Sequence, residues 1–268
     1  MKNLISSATQ RNWDRLQPKT IDKLTGRANK KLSQKSILPL EYLSNTENVE
    51  FIEDFILFLQ DHNWEIKDVL YSVFINLLKQ NSLSSKPHIE DVVSEYNQIL
   101  IEDILKINFP TDEYDLLGLI YQCLLLEGEK NLRGAYYTPY SIAKQMTESF
   151  NFESNHTFLD PCCGSGSFLL ALQCDDPMKI FGVDNDPIAV MLAKFNMLLK
   201  YPHIEFSPQI YHLDYLKTPK LYDAYQEIID KSVTYIATNP PWGAVAGTIE
   251  IPNEITSNET FSIYLVKN

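Results

Sequence analysis

The sequence predicts an α/β protein: a helical N-terminal domain over residues 37–130, followed by a parallel sheet built from βαβ units over residues 131–268. Three observations carry this reading. Apolar residues recur at helical spacing between Phe51 and Leu105; short apolar runs ending in Asp or Asn alternate with helical patterns from His156 onward; and a glycine turn follows the first of those runs. Strands that alternate with helices imply βαβ connections and a parallel sheet.

Residues 1–36 hold nine basic and two acidic residues, a net +7 in a chain whose formal total is −12. Such an arm on an acidic body suits nucleic-acid contact, and equally a solvated terminus; both readings stay open. In the helical domain, Phe51, Phe55, Phe58 and Leu59 share one spacing, as do Val69, Leu70, Val73, Phe74, Leu77 and Leu78. Val92, Val93, Tyr96, Ile99, Leu100 and Leu105 extend the pattern over Ile89–Leu105, and Asp112 is the expected cap of the helix that begins near Leu116. Breaks fall at residues 81–87 and 108–110.

Beyond residue 150 the expected strands are His156–Asp160, Lys179–Asp184, Gln209–Asp214 and Val233–Asn239. Each ends in a polar residue at the edge where ligands bind in such sheets: Asp160, Asp184, Asp214 and Asn239.

Composition excludes several classes. The 13 Phe, 15 Tyr and 3 Trp are too many for a chain that buries nothing, and 9 Gly are too few for a collagen-like one. The four cysteines, at 123, 162, 163 and 174, have no CxxC spacing, so neither a disulfide framework nor a metal site is expected, and a reducing cytoplasm is the natural setting. The apolar stretch Leu116–Leu126 falls well short of the ~20 residues that span a bilayer, so no membrane is expected.

Two segments carry chemistry. Asp160-Pro-Cys-Cys-Gly-Ser-Gly166 sits where a strand turns into a helix. It is not GxGxxG, and a carboxylate before the turn repels phosphate and suits a cationic amino group. Asp184, ending the next strand, can accept hydrogen bonds from both hydroxyls of a ribose. An amino acid joined to a nucleoside without phosphate describes S-adenosylmethionine; a plain βα turn is the alternative. The second segment is Asn239-Pro-Pro-Trp242. Two prolines remove two amide donors and leave rigidly aimed carbonyls. With the Asn239 side chain these can accept hydrogen bonds from an exocyclic amine, while Trp242 offers a face for stacking.

These two segments in this order resemble the N6-adenine-specific DNA methyltransferases of restriction–modification systems, as do Gly134-Ala-Tyr-Tyr-Thr-Pro139, Asp115-Leu-Leu-Gly-Leu-Ile-Tyr-Gln122 and Glu127-Gly-Glu-Lys130. The last two are similar to type I modification subunits and fused type II enzymes. The resemblance covers roughly residues 110–268. It implies a Rossmann-like S-adenosylmethionine-dependent methyltransferase sheet, and DNA (adenine-N6) methylation as the activity.

It also implies roles. Tyr137 and Thr138 hold the cofactor's carboxylate. Asp160 faces its amino group, with Pro161, Gly164 and Gly166 shaping the close approach. Asp184 binds the ribose, Asn185 lies near the cofactor's adenine, and Asp214 contacts that adenine's amine. Asn239 and the Pro240 carbonyl grip the target N6 amine, Pro241 stiffens the loop and Trp242 stacks on the base. Trp stands where Tyr or Phe is commoner in this family. Double-stranded DNA is the implied partner, with a specificity subunit or a separately encoded C-terminal half beside it. The family's sheet has seven strands, so the expectation is a catalytic domain that is C-terminally incomplete. Two other readings are an inactive or split fragment serving as a binding subunit, and a methyltransferase acting on protein glutamine.

Overall fold

A computed structural model describes residues 40–125, 137–215 and 233–240. The basic arm, Gly134–Tyr136, Pro241, Trp242 and the C-terminal tail lie outside the described residues.

Four parallel strands, β1 (Phe158–Asp160), β2 (Ile180–Asp184), β3 (Gln209–His212) and β4 (Tyr235–Ile236), lie in the order β3-β2-β1-β4. The chain moves outward from β1 through β2 to β3, then returns to the other side of β1 for β4. The reversal places a topological switch point between the carboxyl ends of β1 and β4, where open α/β sheets bind ligands. Asp160 and Asp184 are the last residues of their strands, as the sequence leads one to expect. β3 and β4 stop sooner than expected, so Asp214 and Asn239 sit in the loops two and three residues beyond them.

Seven α-helices accompany this sheet among the described residues. The first, α1 (Val49–Gln60), buries Ile52, Phe55, Ile56 and Leu59, a stripe rotated from the aromatic spacing so that Phe51 and Phe58 pack at its margin. All six expected core positions of α2 (Ile66–Gln80) are buried. Proline opens α3 (Pro87–Ser94), where its missing N–H is not needed. Then follow α4 (Leu116–Leu124), buried from Leu116 to Cys123, α5 (Tyr140–Thr147), the short α6 (Ser167–Ala171) and α7 (Pro187–Lys200). Phe74 of α2 stacks on Phe195 of α7 with ring centroids 3.8 Å apart and planes 5° apart, and one hydrophobic core runs from Ile52 to Ala237. No helix of the described residues is long and apolar enough to cross a membrane.

Two sequence expectations fail here. The helix expected over Ile89–Leu105 ends at Ser94, and Ile99 and Leu100 are exposed. The cause is a polar ladder on α2. Asp68, Ser72, Asn76 and Gln80 recur every four residues and so share one face. Asp68 Oδ1 accepts from the Ile99 amide (3.0 Å), and Ser72 Oγ accepts from the Ile101 amide (2.9 Å). Asn76 Nδ2 donates to the carbonyls of Ile104 (2.8 Å) and Ile107 (2.7 Å), while Gln80 pairs with the amide and carbonyl of Phe109. Side chains of α2 thus satisfy backbone groups that a helix would have paired internally. The second failure is the cap of α4. Asp115 holds that place, its Oδ1 accepting from the Gly118 amide (2.8 Å). Asp112 instead accepts from the side-chain amides of Asn45 and Asn48, which hold its carboxyl below the usual range.

Asn76 is nearly fully buried, so Asn76→Ala leaves two carbonyls without their donor. Stability should fall by about 1–3 kcal/mol, the cost of unsatisfied buried polar groups, as a lower urea midpoint with an unchanged slope. A loss below measurement error would show that solvent replaces the ladder.

Candidate active site at the carboxyl edge of the sheet

The site is built around the turn from β1 to α6. Gly164 (φ +54°) and Gly166 (φ +99°) occupy left-handed conformations that favour glycine. A Cβ on Gly164 would lie 2.7 Å from the Tyr137 ring, so glycine also permits Tyr137 to close over the turn. Tyr42 Oη in turn donates to the Tyr137 carbonyl. Within the loop, Cys163 N donates to Val183 O (2.9 Å) and Gly166 N to Cys163 O (2.8 Å).

Asp160 is buried, and its Oδ1 accepts from the Cys162 amide at 3.1 Å. Burial pushes its carboxyl up to about 7, and the neighbouring Asp184 adds to the rise. The Thr238 hydroxyl opposes the rise, although its Oγ1 is buried without a partner in good hydrogen-bond geometry. Asp184 is half-exposed at its residue surface, yet its carboxyl is pushed up to about 6, first by desolvation. Its Oδ2 accepts from Gly164 N (2.8 Å) and its Oδ1 from Asp186 N (2.9 Å). The Asn185 amide also helps to hold the ionised form. Among the described residues neither acid is in an ion pair.

The structure brings Tyr137, Asp160, Gly164 and Asp184 into one neighbourhood, with Asp160 and Tyr137 each feeling the charge of Asp184. Tyr137 Oη is buried without a partner, and burial followed by the nearby acids raises its pKa. Thr138 lines a small hollow with Tyr42, Asp115, Gln122, Tyr140 and Ser167. Asn185 is exposed, and its carbonyl meets His212 Nε2 at 3.1 Å. Pro161 is buried in the turn; Asp214 is half-buried in the loop after β3, which the bond from Leu213 N to Asp184 O (3.0 Å) ties to the end of β2. Asn239 and Pro240 leave β4 at the switch point beside β1, where Ala237 N donates to Leu159 O (3.4 Å). Burial and the two acids raise the Cys163 thiol well above its usual pKa, which leaves it no nucleophile.

Several contributors escape the sequence pattern. Tyr121 Oη donates to Asp186 Oδ2 (2.6 Å), while Asp186 Oδ1 caps α7 through Ile188 N (2.9 Å). Ser165, between the two glycines, donates to Asp115 Oδ2, and Asn196 Nδ2 reaches both Asp115 Oδ1 (2.7 Å) and Ser165 O (2.9 Å). Asp186, before a helix-opening proline, carries a local signal of its own; Asp115, Tyr121 and Ser165 lie in quoted segments that do not reveal these contacts.

Acid-ended parallel strands, a glycine turn and an Asn-Pro loop thus meet at the carboxyl edge of one sheet. The N-6 DNA methylase family model matches residues 112–267, more than half of the chain, and the chain belongs to that family. It is 28% identical over 162 residues to the type I restriction enzyme MjaVII methylase subunit of Methanocaldococcus jannaschii, covering 56% of this chain and 27% of that protein. Over 130 residues it is 35% identical to the type II methyltransferase M.VspI of Vibrio sp. (strain 343), covering 47% and 30%. Among solved structures, a modification subunit assigned to a type I restriction enzyme from Vibrio vulnificus YJ016 has a TM-score of 0.47 and 26% identity, covering 67% of this chain and 42% of that one. The chain spans less than a third of the length of the two curated relatives.

The raised carboxyl of Asp160 has a consequence for stability. A carboxyl whose folded pKa lies above its unfolded value favours the fold while protonated, and that contribution fades as pH rises through the folded value. Stability should therefore decline between about pH 4 and pH 7 on account of Asp160. Asp160→Asn, which keeps an acceptor for Cys162 N, should raise the unfolding midpoint at pH 8 and flatten this decline. Urea titrations at pH 5 and pH 8 check it; an unaltered pH dependence would mean that water solvates the acid.

Proposed function

We propose that this chain binds S-adenosylmethionine at the carboxyl edge of its sheet and presents a flipped adenine to it, as part of a DNA (adenine-N6) methyltransferase. The observation that carries the reading is the pair of adjacent carboxylates, Asp160 and Asp184, gathered at the carboxyl edge beside the Asn239–Pro240 loop with no ion pair among the described residues. Two desolvated carboxyls with raised pKa values favour a cationic ligand, whose charge would stabilise their ionised forms.

The residues present fit this cofactor. Asp160 would accept from its amino group, Asp184 from its ribose hydroxyls, and Asp214 from its adenine amine. Asn185 would border the base, and Tyr137 and Thr138 would supply hydroxyls to its carboxylate; the otherwise unpartnered Tyr137 Oη supports that role. Pro161, Gly164 and Gly166 would let the backbone approach. When bound, the cofactor supplies an electrophilic methyl group on a sulfonium.

The chain's own residues would do the rest. Asn239 Oδ1 and the Pro240 carbonyl would accept the two N–H bonds of the target amine, fixing its lone pair toward the methyl group. Pro241 would keep the loop rigid. Trp242 would stack on the base, a contact worth ~1–3 kcal/mol, against an extrusion cost of a few kcal/mol. The amine would give up a proton to solvent as the methyl passes from sulfur to nitrogen, the S–C bond breaking to leave a neutral thioether, so no strong base would be required. Double-stranded DNA is the substrate on this reading, with a specificity subunit as the natural partner.

Titration calorimetry with S-adenosylmethionine tests the site. Binding should release protons near pH 6–7, seen as heat that depends on the buffer, because an ammonium group beside Asp160 lowers the carboxyl from about 7. Affinity should fall as pH drops through that window, and Asp184→Ala should weaken it by about 1–3 kcal/mol. No binding by folded protein at millimolar cofactor would refute the reading. Asn239→Ala should leave cofactor affinity unchanged and lower transfer to DNA by orders of magnitude, the mark of an interaction made with the target. Tritium transfer to a glutamine peptide in preference to DNA would favour the protein methyltransferase instead.

A further inference from the structure

The glycine turn is held from two sides, and only one of them belongs to the sheet. Asp184 accepts from Gly164 N on the β2 side. On the other side stands Asp115, fifty residues earlier in the chain and at the start of α4. Its Oδ2 receives the Ser165 hydroxyl, and its Oδ1 receives both the Gly118 amide (2.8 Å) and Asn196 Nδ2 (2.7 Å). Asn196, from the buried face of α7, also donates to the Ser165 carbonyl (2.9 Å). One carboxylate therefore joins three elements: α4, the turn and α7. Glycine at 118 is part of the arrangement, since a Cβ there would stand 2.3 Å from both Ser165 Oγ and Asp115 Oδ2.

Capping α4 alone does not account for this. A helix cap needs one acceptor for one amide, and an exposed Ser, Thr or Asn would serve. Asp115 is instead a buried carboxylate, and burial raises its pKa against the hydrogen bonds that stabilise its charge. Burying a charge is costly unless it is well hydrogen-bonded, and here two of its three donors come from the cofactor turn and the helix behind it. Ser165 lies between the two left-handed glycines, the most deformable pair in the turn. Fixing its hydroxyl and its carbonyl from one side fixes the backbone to which the proposed cofactor must dock.

We infer that Asp115 is a positioning residue for the cofactor turn: through Ser165, braced by Asn196, it sets the Gly164–Gly166 backbone from the helical side of the molecule. The inference rests on the cofactor reading above for its purpose, but the clamp itself can be read without cofactor. It ties ligand affinity at the sheet edge to the seating of α4, so that the helical region tunes the site without touching the ligand.

The experiment compares Asp115→Ala, Asp115→Asn and Ser165→Ala with Asn76→Ala, which disturbs the α2 ladder far from the turn. Hydrogen–deuterium exchange of the peptide spanning residues 161–170 is read first, at a temperature where all four variants are folded. Asp115→Ala and Ser165→Ala should exchange there at least tenfold faster than the parent. Asp115→Asn, whose amide can donate to a reversed Ser165 hydroxyl, should recover most of the protection, and Asn76→Ala should leave it unchanged. Calorimetry with S-adenosylmethionine should then show affinity lowered tenfold or more in the first two variants and close to the parent in the last two. Unaltered exchange in Asp115→Ala, or equal loosening in Asn76→Ala, overturns the inference. Loosened exchange with no cofactor binding even by the parent upholds the clamp and refutes the cofactor reading. Loosened exchange with parent-like affinity in Asp115→Ala overturns the positioning role.

Discussion

The arrangement of this molecule depends on keeping two carboxylates at the end of a sheet where, among the described residues, no cation pairs with them. Asp160 and Asp184 survive there because backbone amides of the turn supply the hydrogen bonds that a lysine or arginine would otherwise give: Cys162 N to Asp160, Gly164 N and Asp186 N to Asp184. This is why the turn must be tight and why two of its residues take φ values that favour glycine. The acids order the loop, and the loop keeps the acids buried. Opposing that order is desolvation, which lifts both carboxyls toward neutrality. The site is thus held slightly away from its most stable state, a common condition where binding energy is to be recovered from a ligand.

The helical region is part of this balance. Its apolar stripes close over α7, and Asp115 reaches through to the turn. The neighbouring Tyr121 makes a second crossing to Asp186, the cap of α7. Two hydroxyls and two aspartates therefore stitch α4, the turn and α7 together, while the aromatic stack supplies the apolar contact. Specific polar bonds set the register, and apolar area supplies most of the cohesion.

Much of the sheet was legible because its signals are local. A strand that ends in an acid and runs into a glycine turn carries its own punctuation, so Asp160 and Asp184 fall where the pattern puts them. Asp214 and Asn239 share the edge but not the strands, since β3 and β4 are short and their polar residues come after the last ladder bond. What escaped was long-range and polar. The apolar spacing of Ile89–Leu105 reads as helix, and nothing nearby reveals that Asp68, Ser72, Asn76 and Gln80 will take over its backbone. Asp115 opens a segment that the resemblance singles out, but its role stays hidden because its partners lie 50 and 81 positions away. Periodicity reports which side of an element is apolar; it is silent about which polar side chain meets which distant carbonyl.

The stack of Phe74 on Phe195 bears on how this chain can be divided. Phe195 is fully buried, and its neighbours Tyr71, Phe74 and Tyr96 all come from the helical region. Separating the sheet from those helices would bare a continuous oily stripe along α7, with about 1.5–3 kcal/mol of lost burial for each large side chain uncovered. Each half is the other's solvent: excision of either, by protease or by gene design, would turn the oily stripe toward water.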